Sequence, residues 1–155
     1  MQARLDPFQA APEIMQALLT FSAVSKASNL ELALKGLVKV RASQINGCAY
    51  CIHMHTREAR AEGESEERLH LLDAWRESPL YTPRERAALA WTEALTRIAD
   101  THAPDDAYDA ARAVFTEKEL VELTVGIGLI NTWNRIAVGF RRVHPVEAAK
   151  ASQAA

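Results

Sequence analysis

The chain reads as an all-α protein of about seven helices, because three features of the sequence agree. Apolar residues recur at helical spacing along most of its length, no stretch alternates apolar and polar as a half-buried strand would, and two Thr-x-x-Glu capping boxes mark helix starts. With 155 residues, 48% of them hydrophobic, it has the size of one domain and a core that needs no disulfide. We expect a single domain over residues 1–155, with its core at about 10–145 and a frayed tail at 148–155, where no large apolar residue occurs.

The helices follow in order. Pro12 to about Ala27 carries Ile14, Leu18, Phe21 and Val24 close to helical spacing, and Asn29 stands where it would cap a second helix with Leu30, Leu34, Leu37 and Val38 on one stripe. Gly36 interrupts that stripe at a cost of about 1 kcal/mol relative to alanine. After Asn46-Gly47 a third helix runs from the cysteines to Gly63, a residue suited to the position just past a helix end. Ser65 opens a fourth, which carries Leu69, Leu72 and Trp75. Thr82-Pro83-Arg84-Glu85 combines a capping box with proline at the first helical position and leads into Leu89, Trp91, Leu95 and Ile98. Ala103 to Asp106 reads as a loop before a short helix through Tyr108, Ala111 and Val114. Thr116-Glu117-Lys118-Glu119 is the second capping box, and the long apolar segment it opens reaches Phe140 and ends at His144-Pro145. Residues 37–46 echo residues 122–131, Val38 falling on Leu123 and Ile45-Asn46 on Ile130-Asn131, a faint sign of two similar helical hairpins.

Eighteen Lys plus Arg against twenty Asp plus Glu leave a formal charge of −2 without long blocks of either sign, so neither nucleic acid nor an anionic membrane is an expected partner. No apolar run approaches the roughly 20 residues of a spanning helix, and Met1 to Pro7 lacks the apolar stretch of a secretory signal. The expected location is therefore the cytoplasm, where thiols stay reduced and a close cysteine pair points to catalysis or metal binding rather than to a structural bridge.

That pair is Cys48 and Cys51, with His55 four residues beyond the second. Two thiols at this spacing in a first helical turn close a disulfide ring and reopen it, since exchange needs only a thiolate and a reachable sulfur. At about 100° per residue, with Cys48 as origin, Cys51 lies at about 300° and His55 at about 340°, on one face, whereas His53 at about 140° points away. Zinc is a competing use of the same residues, but a fourth ligand would have to come from His70, His102, His144 or a carboxylate, and no spacing nominates one. Two simply buried thiols are the third reading. We favour the redox use and assign no metal and no cofactor.

Unpaired N–H groups and the dipole at a helix start favour thiolate and lower a thiol pKa from about 8.5 toward neutral. His55, one turn beyond Cys51, then takes or relays the proton. Such a thiolate attacks the O–O bond of a hydroperoxide and becomes a sulfenic acid, and the neighbouring thiol condenses with it to a disulfide that an external dithiol reopens. Proximity to His55 favours Cys51 as the attacking sulfur and Cys48 as the resolving one. Cys48 enjoys more of the helix dipole, so the order of attack stays open.

Residues 37–56, centred on Asn46-Gly47-Cys48-Ala49-Tyr50-Cys51-Ile52-His53-Met54-His55, closely resemble the core motif of AhpD-like alkylhydroperoxidases in the carboxymuconolactone decarboxylase family. Ala74-Trp75-Arg76-Glu77-Ser78-Pro79, the run Tyr81 to Thr92, and Asn131-Thr132-Trp133-Asn134-Arg135-Ile136-Ala137 resemble stand-alone members of that family, so the likeness spans roughly residues 10–145. The resemblance implies an all-helical AhpD-like fold, a homo-oligomer (trimer or hexamer), and a peroxidase or disulfide reductase whose catalytic residues are Cys48, Cys51 and His55. A hydroperoxide and an external dithiol or redox protein would be its reaction partners. A non-enzymatic helical oligomer with packed or metal-binding cysteines, and an enzyme of small organic acids needing a polar pocket, are the other classes considered.

Two positions depart from the family pattern. A glutamate twelve residues before the first cysteine completes the relay in the family, but Gly36 occupies that place; and where a histidine can precede the second cysteine, this chain has Tyr50. Glu31, the nearest upstream acid, and Tyr50 are the candidates for the missing relay group. Trp75, Trp91 and Trp133 fall on apolar faces and read as packing residues, and Arg135, Arg141 and Arg142 as cations at a helix end.

Overall fold

A computed structural model describes residues 2–146; the stretch 148–155 expected to fray lies outside them. Among the described residues the helices are α1 (Pro7–Ala10), α2 (Pro12–Lys26), α3 (Leu32–Ile45), α4 (Ala49–Ala61), α5 (Glu66–Leu71), α6 (Pro83–Thr96), α7 (Ile98–Thr101), α8 (Asp105–Arg112) and α9 (Glu117–Gly139), with a 3-10 turn over Leu72–Ala74. The two beyond the seven expected, α1 and α7, are single turns of four residues, too short to show an apolar period. Asp6 starts α1 by accepting the Phe8 N–H, and the left-handed His102 stops α7.

Both capping boxes form as their sequences require: Thr82 and Glu85 exchange hydrogen bonds at the start of α6, and Thr116 and Glu119 do so at the start of α9. Ser65 caps α5 through the Arg68 N–H. The expected cap of α3 moves. Glu31 holds that position with its side chain turned elsewhere, and Asn29 instead donates its backbone N–H to Glu122 across 3.3 Å.

The central helix is α3, which packs against α4, α6 and α9. Its Leu34 and Val38 enter a core with Trp91, Phe115, Leu123 and Ile127, while Leu37 and Val40 enter a second with Leu69, Leu72, Trp75 and Leu89. Fully burying each of these side chains contributes roughly 1.5–3 kcal/mol, so apolar residues on two faces of one helix hold both halves together. Gly36 is buried where α3 meets α4, and a Cβ there would stand in ordinary contact, 3.5 Å from the Ala59 Cβ. The same helix carries the buried Arg41, which pairs with Glu93 of α6 at 2.8 Å and with Asp73. Burial pushes the Glu93 carboxyl up, but hydrogen bonds from Trp75, Arg76 and Arg41 outweigh it and keep the group below the usual carboxylate range.

The α2 stripe does not face this core. Ile14, Phe21 and Val24 are 68%, 46% and 67% exposed, and Met15 is the one residue of α2 that is buried. The helix leans on α9 through its other side, where the Trp133 Nε1–H donates to Ser22 Oγ at 3.0 Å. Helical spacing located α2 but not the partner of its apolar face, since periodicity is the same whichever body covers the stripe.

At the start of α9, the Thr116 N–H, the Arg84 guanidinium at 2.6 Å and the Thr116 hydroxyl hold the Glu119 carboxyl down at about 2, from an ordinary 4.5. A depressed carboxylate stabilises the fold at pH above its unfolded value and loses that contribution as pH falls through its folded one. In thermal unfolding, Glu119→Gln should therefore lie below the parent by its full margin above about pH 4.5, and the gap should close as pH falls from about 4.5 toward about 2. A gap independent of pH would contradict the assignment.

Candidate active site

The cysteine pair sits where two helices share a joint with no residue to spare. Asn46 ends α3, and Gly47 follows at φ +62°, a left-handed conformation that glycine adopts without strain. The Gly47 N–H then donates to the Gln44 carbonyl at 3.1 Å and the Cys48 N–H to that of Ser43 at 3.0 Å, closing the helix end. Cys48 is at once the N-cap of α4: its sulfur accepts the Cys51 N–H at 3.3 Å. It therefore caps the helix rather than lying in its first turn.

Side chains from α9 fix this joint. The Asn46 amide donates to Asn131 Oδ1 at 2.9 Å and Asn134 Oδ1 at 2.8 Å, and the Asn134 amide donates to Ser43 Oγ at 3.0 Å. Asn131 also donates to Thr96 Oγ1 at 3.0 Å, which extends the network to α6. Asn46 and Asn131, the pair that coincides in the internal echo, thus touch. Buried amides leave such a network at a cost of about 1–3 kcal/mol for each group left unpaired, so it resists displacement of the joint.

Cys48 and Cys51 are joined as a disulfide with their Cα atoms 5.3 Å apart, within the ordinary span of such a bridge. Both are almost wholly buried, 1% and 2% exposed, against Ala137. Access comes from one side. A cleft of about 410 Å³ runs between α2, α3, α4 and α9, and Cys51 lines it whereas Cys48 does not.

His55 and Glu58 line the same cleft one and two turns beyond Cys51. The His55 Nδ1 stands 2.8 Å from Glu58 Oε2. An ionised carboxylate only accepts, so Nδ1 carries a proton towards Glu58 and Nε2 is the ring nitrogen left to exchange one on the cleft side. The hydrogen bond from His55 holds the Glu58 carboxyl below its usual range against the opposing effect of burial, with the positive charges of His55, Lys39 and Lys26 assisting.

Glu31 does not reach this site. Its carboxylate pairs with Arg84 at 2.9 Å beside Glu119, at the opposite end of α3 from the joint, and it does not line the cleft. Tyr50 does: its ring packs by the cysteines beneath the Arg142 guanidinium, 4.3 Å away. His53 stacks on His144 at 4.8 Å, outside the cleft lining. Sequence reasoning passed over Glu58, although it lies at about 280° on the wheel that selected Cys51 and His55. The signal was the i, i+3 spacing from His55.

Comparison with known proteins places this geometry. Residues 12–94 match the carboxymuconolactone decarboxylase family. The uncharacterised protein YdfG of Bacillus subtilis is 40% identical over 138 residues, 89% of this chain and 94% of its own length. A solved structure from Agrobacterium tumefaciens, of unknown function and suggested to be the antioxidant defence protein AhpD, shares 51% identity over 94% of this chain and 100% of its own, with a TM-score of 0.92. An alkylhydroperoxidase AhpD core from Ralstonia eutropha JMP134 shares the fold alone: 18% identity and a TM-score of 0.77 over 89% of this chain and 74% of its own. With its helices, its cysteine pair and these relatives in agreement, the chain belongs to the carboxymuconolactone decarboxylase family as an AhpD-like member.

Proposed function

We propose that the protein is a thiol-dependent peroxidase that reduces hydroperoxides at Cys51 and is recharged by an external dithiol or redox protein. The observation that carries this reading is the asymmetry of the pair: Cys51 opens on the cleft beside His55 and Glu58, while Cys48 lies behind it as the helix cap. His55 takes the Cys51 thiol proton at Nε2 and Glu58 steadies the resulting imidazolium through Nδ1. The Cys51 thiolate attacks the terminal peroxide oxygen, the O–O bond breaks, and the leaving alkoxide recovers that proton as an alcohol. Cys51 is then a sulfenic acid. The Cys48 sulfur attacks it, the disulfide forms, and the hydroxyl leaves as water with the Cys48 proton. A dithiol supplies two electrons and two protons to restore both thiols.

Burial of Cys51 against a largely apolar cleft favours an organic hydroperoxide as the oxidising substrate. The exposed apolar residues Ile14, Phe21 and Val24 along α2 support a homo-oligomer in which a neighbouring copy covers them, and the family resemblance implies a trimer or hexamer. Among the described residues no helix is long and apolar enough to cross a membrane.

The test is a single turnover with one equivalent of cumene hydroperoxide. The reduced parent should lose both thiols, Cys51→Ser neither, and Cys48→Ser one, the last becoming one oxygen heavier by intact mass. Equal consumption of hydroperoxide by Cys51→Ser and the parent would overturn the reading.

Glu58→Gln keeps a side chain of the same length but no charge. Its second-order rate constant should fall about tenfold or more, a fraction of the roughly 10²–10⁴ that proton transfer supplies. Because Glu58 stays ionised below the ordinary carboxylate value of 4.5, the ratio of parent to variant should hold down past that pH and narrow only at lower pH. A ratio near one at neutral pH would remove Glu58 from the relay.

A further inference from the structure

The cleft that exposes Cys51 is apolar along most of its length and cationic at one side. Leu19 of α2, Leu34 and Val38 of α3, Met54 of α4 and Trp133 of α9 supply its walls. Lys35 and Lys39, one turn apart on α3 and both half-buried, also line it. The two acids in the lining are engaged: Glu58 by His55, and Glu122 by the Asn29 N–H at 3.3 Å and by Lys118 at 3.8 Å. Lys35 spends two of its three N–H donors on the Lys26 and Ser28 carbonyls at the end of α2, at 2.9 and 3.1 Å. The Lys39 carbonyl accepts the Ser43 hydroxyl at 2.7 Å, but among the described residues its ammonium has no hydrogen-bond or ion-pair partner. Burial and then the Lys39 charge push the Lys35 ammonium below its ordinary value against the attraction of Glu122 and Glu62, and among the described residues no carboxylate forms an ion pair with either lysine.

A half-buried ammonium beside an apolar cavity favours an anionic guest, since a charge-assisted hydrogen bond there forms with little competition from water. The volume, about 410 Å³, lies within the range of small-molecule sites and exceeds what hydrogen peroxide needs. We propose that the cleft selects a hydroperoxide with an extended apolar body and a carboxylate at one end, the carboxylate meeting Lys39 and the remaining N–H of Lys35 and the chain lying along Leu34, Val38 and Trp133. The proposal rests on the peroxidase reading for the word hydroperoxide, but the binding it describes is independent of turnover. An oxidised fatty acid has this chemistry. Lys39 is then a specificity residue that fixes which end of the substrate lies away from the sulfur.

Calorimetric titration with decanoate below its micelle concentration, against decanol, separates the two claims because neither probe can be reduced. The parent should bind decanoate about tenfold or more tightly than decanol, Lys39→Gln should lose that preference, and Lys39→Arg should keep it. Decanoate affinity of the parent should also fall with added salt, a readout that needs no variant. Equal binding of both probes, unchanged preference in Lys39→Gln, or displacement of decanoate by equimolar phosphate would overturn the proposal. If decanoate binds as stated while cumene hydroperoxide leaves both thiols intact, the peroxidase reading fails and the anion site stands.

Discussion

The site depends on Cys48 having two structural duties at once. Its N–H closes the end of α3 and its sulfur caps the start of α4, so the cysteine pair moves only if both helices move. Asn46, held by Asn131 and Asn134, ties that joint to α9, which also packs Ala137 against the sulfurs. A redox pair needs two sulfurs at bonding distance in one state and held for attack in the other. A helix N-terminus provides both, through the turn geometry that brings residues i and i+3 together and through the N–H groups aimed at whichever sulfur carries charge. The energetic scale of the amide network, of the order of a few kcal/mol, is comparable to the roughly 10²-fold that a misplacement of about 1 Å costs an active site.

From this joint the remaining parts follow by helical spacing. Cys51, His55 and Glu58 descend one wall of the cleft at intervals of four and three residues, each within reach of the next turn. In the proposed relay the acid, Glu58, comes from α4 itself. The resemblance places it on the preceding helix, at the position where this chain has the buried Gly36 facing Ala59.

How much of this was legible beforehand follows from which features are local. The capping boxes at Thr82 and Thr116 and the one-face cluster of Cys48, Cys51 and His55 depend on spacing within a single helix, and the sequence carries such spacing openly. Glu58 is legible on the same grounds, by its i, i+3 spacing from His55, whereas Glu31, the nearest acid upstream of the cysteines, is held by Arg84 at the far end of α3. The cleft was not legible: Lys39, Trp133 and Cys51 meet only through tertiary packing. Nor was the outward orientation of Ile14, Phe21 and Val24, since a stripe facing a neighbouring body and one facing the core have the same period.

The central claim is that the fold offers one sulfur of the pair to substrate and withholds the other. Reaction of the reduced protein with a substoichiometric amount of iodoacetamide, followed by peptide mapping, reads this directly. Label should accumulate on Cys51 first, with Cys48 reacting only after unfolding or more slowly. Label appearing first on Cys48 would show that the cap sulfur is the exposed thiolate and would contradict the account.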